Sequence, residues 1–241
     1  MSNVQQYNLW FVNQSSSAGK VCVYQDNSNV TFNQSDPAVL AWMLAGANPS
    51  VQVNFQWATD YDFAWFDYGS PGTQQIIGAN LNTDNAVTFR LNQYGYYFQT
   101  LTSGSSGQLS VQSDGSIPTV NHAVVGIGMH GAGTFTFPAK PNINSLFTPI
   151  QDANLAYWIS FGYYLFEVND PIDVSILNTS AKISFPYGVY TMTAVLDVQN
   201  LWTIYPGPPV TTNAERVSQV TVYEAAKGVL HPTFRTLLTR I

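Results

Sequence analysis

Val51-Gln52-Val53-Asn54-Phe55-Gln56-Trp57-Ala58 alternates apolar and polar side chains along residues 51–58. A period of two puts Val51, Val53, Phe55 and Trp57 on one face of an extended chain and the amides on the other, the pattern of a half-buried β-strand. Beyond Asp60 the pattern resumes through Phe63 and Trp65. Outward from this block, aromatic and β-branched residues fill short segments at 86–92, 94–101, 108–112, 133–137, 158–166, 182–185, 189–198 and 217–223. Such side chains suit a pleated, half-buried surface. Turn-forming strings separate them, among them 103–107, Asp114-Gly115 and Pro206-Gly207-Pro208-Pro209. Segments 7–12 and 20–25 flank a turn-like stretch at 13–19 and read as a hairpin. Many short strands between turn signals predict an all-β chain, an antiparallel β-sandwich or a related barrel.

Two segments depart from the strand pattern. Asp36-Pro37 is a cap followed by a first-turn proline, and helix formers occupy 38–45, so a short helix is expected there. Near the C-terminus Phe234, Leu237, Leu238 and Ile241 fall at i, i+3, i+4 and i+7, with Arg235 and Arg240 off the stripe. That spacing predicts a short basic amphipathic helix. The expected organisation is one β-sandwich domain over 1–211, with 102–118 and 138–152 as candidate dividing stretches between two β halves. A last strand and the basic segment follow over 212–241.

The chain has 241 residues, of which 9% are charged, against roughly 25% in an ordinary soluble domain. Its polarity therefore comes mainly from Asn, Gln, Ser and Thr, and a surface of that kind has little charge repulsion to oppose association. With 8 Lys+Arg against 14 Asp+Glu, the net charge of −6 and the lack of a basic cluster exclude nucleic acid as the expected partner. One cysteine, Cys22, rules out an internal disulfide framework and a Cys-based zinc site. No apolar run approaches the roughly 18 residues of a membrane span. The start of the chain lacks the basic and apolar regions of a secretory signal. A cytoplasmic product is the default expectation, with lysis or unconventional export as routes of release. The charge is unevenly placed: 1–211 hold 4 basic and 12 acidic residues, whereas 212–241 hold 4 basic and 2 acidic.

Local motifs give little chemistry. Gly126, Gly128 and Gly131 satisfy G-x-G-x-x-G, but they run into the strand-like Thr134-Phe135-Thr136-Phe137 instead of opening a helix. Close backbone approach or a bulge within a sheet is the expected role. His122, His130 and His231 form no i, i+2 or i, i+4 pair, and no G-x-S-x-G elbow is present. No metal, cofactor or catalytic residue is expected. Asp60 and Asp62 lie among Trp57, Tyr61 and Trp65, and aromatic rings beside acids suit sugar stacking; this group is the candidate site of a carbohydrate-binding module.

Longer strings are informative in another way. Tyr7-x-Leu9-x-Phe11-x-Asn13-x-Ser15-Ser16, Cys22-x-Tyr24-Gln25 and Asn121-His122-Ala123 are followed by Gly126-Ile127-Gly128-Met129 and Gly131-Ala132-Gly133-Thr134. Tyr157-Trp158-Ile159-x-Phe161-Gly162 and Val189-Tyr190-x-Met192-Thr193-Ala194 complete the set. These resemble the RhiA-like proteins, rhizosphere-expressed proteins of plant-associated bacteria. The resemblance covers positions 7 to about 203 and implies a soluble, abundant, quorum-regulated product with no assigned biochemical activity. The segment after Pro206 lies outside it.

The function expected is that of a non-enzymatic, β-rich protein acting through its surface, chiefly by self-association into a homo-oligomer or polymer. The stripe of Phe234, Leu237, Leu238 and Ile241 is the expected assembly interface. Burying it would contribute on the order of 6–10 kcal/mol before ordering entropy, so its own domain or a neighbouring copy must cover it. A carbohydrate-binding module is the second expectation, with a glycan as partner, and a membrane-active toxin-like β-sandwich is the third.

Overall fold

The computed structural model of the chain describes residues 5–34, 37–99, 101–150, 155–177 and 179–210. Within them the chain is all β, and its strands, numbered in chain order, form four open sheets. The first contains β1 (Gln6–Asn13), β6 (Gln52–Ala58), β17 (Thr191–Leu196) and β18 (Trp202–Pro206), in the order β18-β17-β1-β6. The second contains β2 (Gly19–Gln25), β5 (Met43–Ala47), β15 (Ala156–Gly162) and β16 (Ser180–Ser184), in the order β16-β15-β2-β5. The third contains β3 (Val30–Phe32), β9 (Ala86–Asn92), β10 (Gly95–Phe98), β11 (Leu109–Ser113) and β14 (Asn144–Pro149), in the order β10-β9-β11-β14-β3. The fourth contains β4 (Ala38–Val39), β7 (Tyr61–Asp67), β8 (Gln74–Gly78), β12 (Ala123–Met129) and β13 (Ala132–Pro138), in the order β4-β13-β12-β7-β8.

The sheets pack face to face in two pairs. Leu9, Phe11 and Trp57 from the first sheet meet Val21, Tyr157 and Ile159 from the second in one core. Phe89, Val111 and Phe147 from the third meet Phe63, Ile127 and Phe135 from the fourth in another. The alternation of 51–58 is realised as β6, with Phe55 and Trp57 buried and Gln52 and Gln56 exposed. Two sandwiches result, and their strands interleave along the chain.

Three expectations are corrected. The helix at 38–45 is instead β4, an extended link and β5. Leu40, Ala41 and Trp42 are buried in three different clusters, so successive side chains must point in different directions. Pairing of Val39 with Phe135 and of Ala38 with Thr136 holds the extended form; these tertiary contacts override a favourable helix cap. The hairpin at 7–12 and 20–25 is an arch between sheets: β1 pairs with β6 and β17, whereas β2 pairs with β5 and β15. The buried Asn13 amide ties this arch, donating to the carbonyls of Ser17 (2.9 Å) and Ala47 (3.1 Å) while accepting the Ser15 N–H (3.0 Å). The sheets are also not wholly antiparallel, because β1 runs parallel to β17 and β9 parallel to β11. Helical structure among the described residues is limited to the 3₁₀ turns Asn27–Asn29 and Val174–Ile176. The expected C-terminal helix lies outside the described residues.

The cores touch at one seam. Met129 and Ala132, at the turn end of the β12–β13 hairpin, pack into the first core, and the Trp42 indole donates to the Met129 carbonyl (2.7 Å). Tyr61 packs against both cores.

Candidate ligand cleft

Between β16 and β17 the chain makes a tight turn, in which the Val189 N–H donates to the Pro186 carbonyl (2.9 Å) and Gly188 adopts φ +75°. The turn holds Tyr187 at its tip with 87% of its surface exposed. At Tyr190 the carbonyl accepts the Asn8 N–H (2.8 Å), extending the parallel β1·β17 ladder and fixing the backbone. The Tyr190 ring lies edge-on to Tyr7, with centroids 5.8 Å apart. Tyr7 in turn stacks on Trp57 at 5.8 Å and meets Phe185 edge-on at 4.9 Å. A ladder of rings thus runs from the first core to the surface.

These tyrosines line one wall of an open cleft of about 510 Å³ at the seam of the two sandwiches. Thr59 from the β6–β7 link, Tyr61 at the start of β7, Leu81 and Asn82 beyond β8, and Ile150 and Leu155 near the β14–β15 connection line the rest, with Gln5. The volume falls in the range of small-molecule sites, and a seam between packed units is a common location for them. Among the described residues that line the cleft, none is charged at neutral pH. Burial pushes the Tyr7 phenol up, with Tyr190 adding to the effect. Burial likewise pushes Tyr61 up to about 12, with Tyr7 contributing. These two phenols are therefore neutral O–H donors throughout the ordinary pH range. They can stack and hydrogen-bond, but neither is poised to exchange a proton near pH 7.

The residues singled out as a sugar site do not form one platform. Trp57 is fully buried in the first core and Trp65 is buried in the second, its indole donating to Gln75 Oε1 (3.2 Å). Asp60 sits exposed in the β6–β7 link, and its carbonyl accepts the His130 N–H. On β7, Asp62 accepts the Gly131 N–H (2.7 Å) at Oδ2, and burial raises its carboxyl. Tyr61 alone of the five lines the cleft. The residues that line it with Tyr61 include Tyr7, Tyr187 and Tyr190; Tyr7 and Tyr190 fall in the strings that carry the family resemblance and Tyr187 in the turn string Pro186-Tyr187-Gly188, but nothing in those strings marks them as a site. Phe234, Leu237, Leu238 and Ile241 lie outside the described residues.

The glycine string is resolved as a hairpin. A Cβ on Gly126 would run into the Phe135 carbonyl, one on Gly128 would run into that of Ala132, and the β12–β13 register shifts at Ile127/Gly128. His130 (φ 57°) and Gly131 (φ 73°) supply the two left-handed positions of the turn. Close approach and a bulge thus account for the motif, as expected from the sequence. Cys22 is fully buried, and burial pushes its thiol up to about 12, which makes it a packing residue. Among the described residues no three His, Cys, Asp or Glu side chains converge as a metal site, and no helix is long and apolar enough to cross a membrane.

Fold and site together define an all-β protein of two interleaved sandwiches with a tyrosine-rich cleft at their seam. The chain belongs to the RhiA family, whose model matches residues 4–207. It is similar to Protein RhiA of Rhizobium leguminosarum bv. viciae, with 28% identity over 209 residues, covering 83% of this chain and 87% of that protein. No solved structure matches it. The family match takes in β1 to β18 and the cleft, and ends where the oppositely charged segment begins.

Proposed function

We propose that the protein is a non-enzymatic interaction protein that self-associates, with the basic segment 212–241 of one copy docking on the acidic body of another. The observation that carries this reading is the state of the cations in the body. Of its four Lys and Arg, Lys20 is held by Glu167 (2.7 Å), Arg90 by Asp114 (2.7 Å) and Lys182 by Asp26 (2.8 Å). The fourth, Lys140, is exposed without an ion pair, and the other described carboxylates, Asp60, Asp67, Asp84 and Asp197 among them, have none either, so unpaired acidic groups outnumber the one unpaired cation on the described body. The segment past the family match has the opposite sign and an apolar stripe. Nearly fully exposed Tyr94, Val120, Tyr163 and Leu165 add apolar contact area to a surface with few charges to keep copies apart. A tail-to-body contact made without reciprocity is heterologous and builds rings or filaments.

Sedimentation velocity over a range of concentrations, at about 0.02 M and about 0.5 M salt, tests the proposal. The full chain is expected to assemble and to dissociate partly in the higher salt. Deleting 229–241, or combining Leu237→Asp with Leu238→Asp, is expected to give folded monomers. A full chain that stays monomeric at every concentration, or variants that keep its assembly state, would overturn the reading.

A further inference from the structure

We infer that the cleft at the seam of the two sandwiches is a binding site for a neutral saccharide. This goes beyond self-association and does not depend on it. The lining offers ring faces and uncharged hydrogen-bonding groups together, the combination that a sugar ring requires: C–H faces to stack and hydroxyls to pair. Tyr187 and Tyr190 supply rings at the mouth, 87% and 41% exposed. A glycine turn fixes the backbone around the first, and the β1·β17 ladder fixes the second. Backbone already ordered in this way loses little freedom on binding.

Around these rings Gln5, Asn82, Thr59 and Tyr61 line the cleft; the Gln5 amide donates one bond to the Gln6 carbonyl (2.9 Å) and the Asn82 amide accepts one from Ser106 Oγ (2.8 Å), and each retains further donor and acceptor capacity. An amide presents a donor and an acceptor side by side and so matches a pair of neighbouring hydroxyls. Among the described lining residues none carries a cation, so a carboxylated or phosphorylated ligand would lose its hydration there without gaining a counter-charge from them. A wholly apolar ligand fits less well, because it would strip water from the amides and hydroxyls and leave them unpaired. The open shape and the volume of about 510 Å³ suit a few sugar units of a longer chain.

The test is titration of the full chain by isothermal calorimetry and saturation-transfer NMR. The probes are cellotetraose, maltotetraose, xylotetraose and mannotetraose, with tetragalacturonate and p-cresol as comparators. At least one neutral tetramer is expected to bind in the micromolar to low-millimolar range, about 10⁻⁵–10⁻³ M. Tyr187→Ala is expected to weaken that binding about tenfold, consistent with the loss of one stacked ring. Its melting temperature should stay unchanged, because the side chain is exposed. Tyr163→Ala, equally exposed but at the opposite end of β15, is expected to leave binding intact. The inference is overturned if no neutral tetramer binds at about 10 mM. It is equally overturned if binding survives both Tyr187→Ala and Tyr190→Ala, or if tetragalacturonate or p-cresol binds more tightly than every neutral tetramer.

Discussion

Replacing Asp26 with asparagine should remove a large part of the acid sensitivity of the first sandwich. Asp26 follows β2 and is 6% exposed. Its Oδ1 accepts the Ser28 N–H (2.9 Å) and caps the Asn27–Asn29 turn. Its Oδ2 accepts from the Trp158 indole (2.8 Å) on β15 and the Lys182 ammonium (2.8 Å) on β16, so one carboxylate ties three segments together. Burial alone would raise its pKa, but Lys182 and the hydrogen bonds outweigh that effect and lower it from 3.8 to about 2. A depression of nearly two units corresponds to about 2 kcal/mol of native-state stabilisation. Because the folded value lies below the unfolded one, this stabilisation is fully present above the ordinary carboxylate range. It is lost as the pH falls through about 4 towards about 2. Asparagine can keep the Ser28 cap but turns an amide donor towards two other donors. Urea unfolding followed by tryptophan fluorescence should find Asp26→Asn about 2–4 kcal/mol less stable than the parent near pH 7. The gap should close as the pH approaches about 2. No loss near neutrality, or a gap that does not change with pH, would refute the assignment.

Two further substitutions probe the fold. Gly126→Ala should destabilise by about 2–4 kcal/mol, because its methyl group meets the Phe135 carbonyl inside the sheet; denaturant unfolding measures the loss. Asn85→Ala should cost about 2–4 kcal/mol and lower the melting temperature. The fully buried Asn85 amide donates to the carbonyls of Leu81 (3.0 Å) and Ser105 (2.6 Å) and accepts the Gly104 N–H (2.5 Å), so alanine strands all three groups.

The abundance of asparagine is legible in composition, but its use is not. Asn13, Asn29 and Asn85 are buried and act as surrogate backbone, closing arches whose N–H and C=O groups find no strand partner. In an interleaved two-sandwich chain the connections cross between sheets, and such crossings leave polar groups that short polar side chains, amides among them, can reach. No local pattern distinguishes these asparagines from solvated ones.

The sequence by itself determined the all-β class, the inward face of strands such as β6 and the close backbone approach at the glycine string. Each depends on a period of two, on side-chain size or on turn chemistry, all of which are properties of neighbours along the chain. Only the tertiary structure decided that 38–45 is extended and that β1 and β2 lie in opposing sheets. It alone separated Trp57 from Trp65 into different cores and brought Tyr7, Tyr61, Tyr187 and Tyr190 to one cleft. Sheet pairing joins residues more than a hundred positions apart, as in Asn8 with Thr191 and Tyr24 with Trp158. The preference that sets such partners is the burial of whole faces, a sum over distant residues that no local window contains.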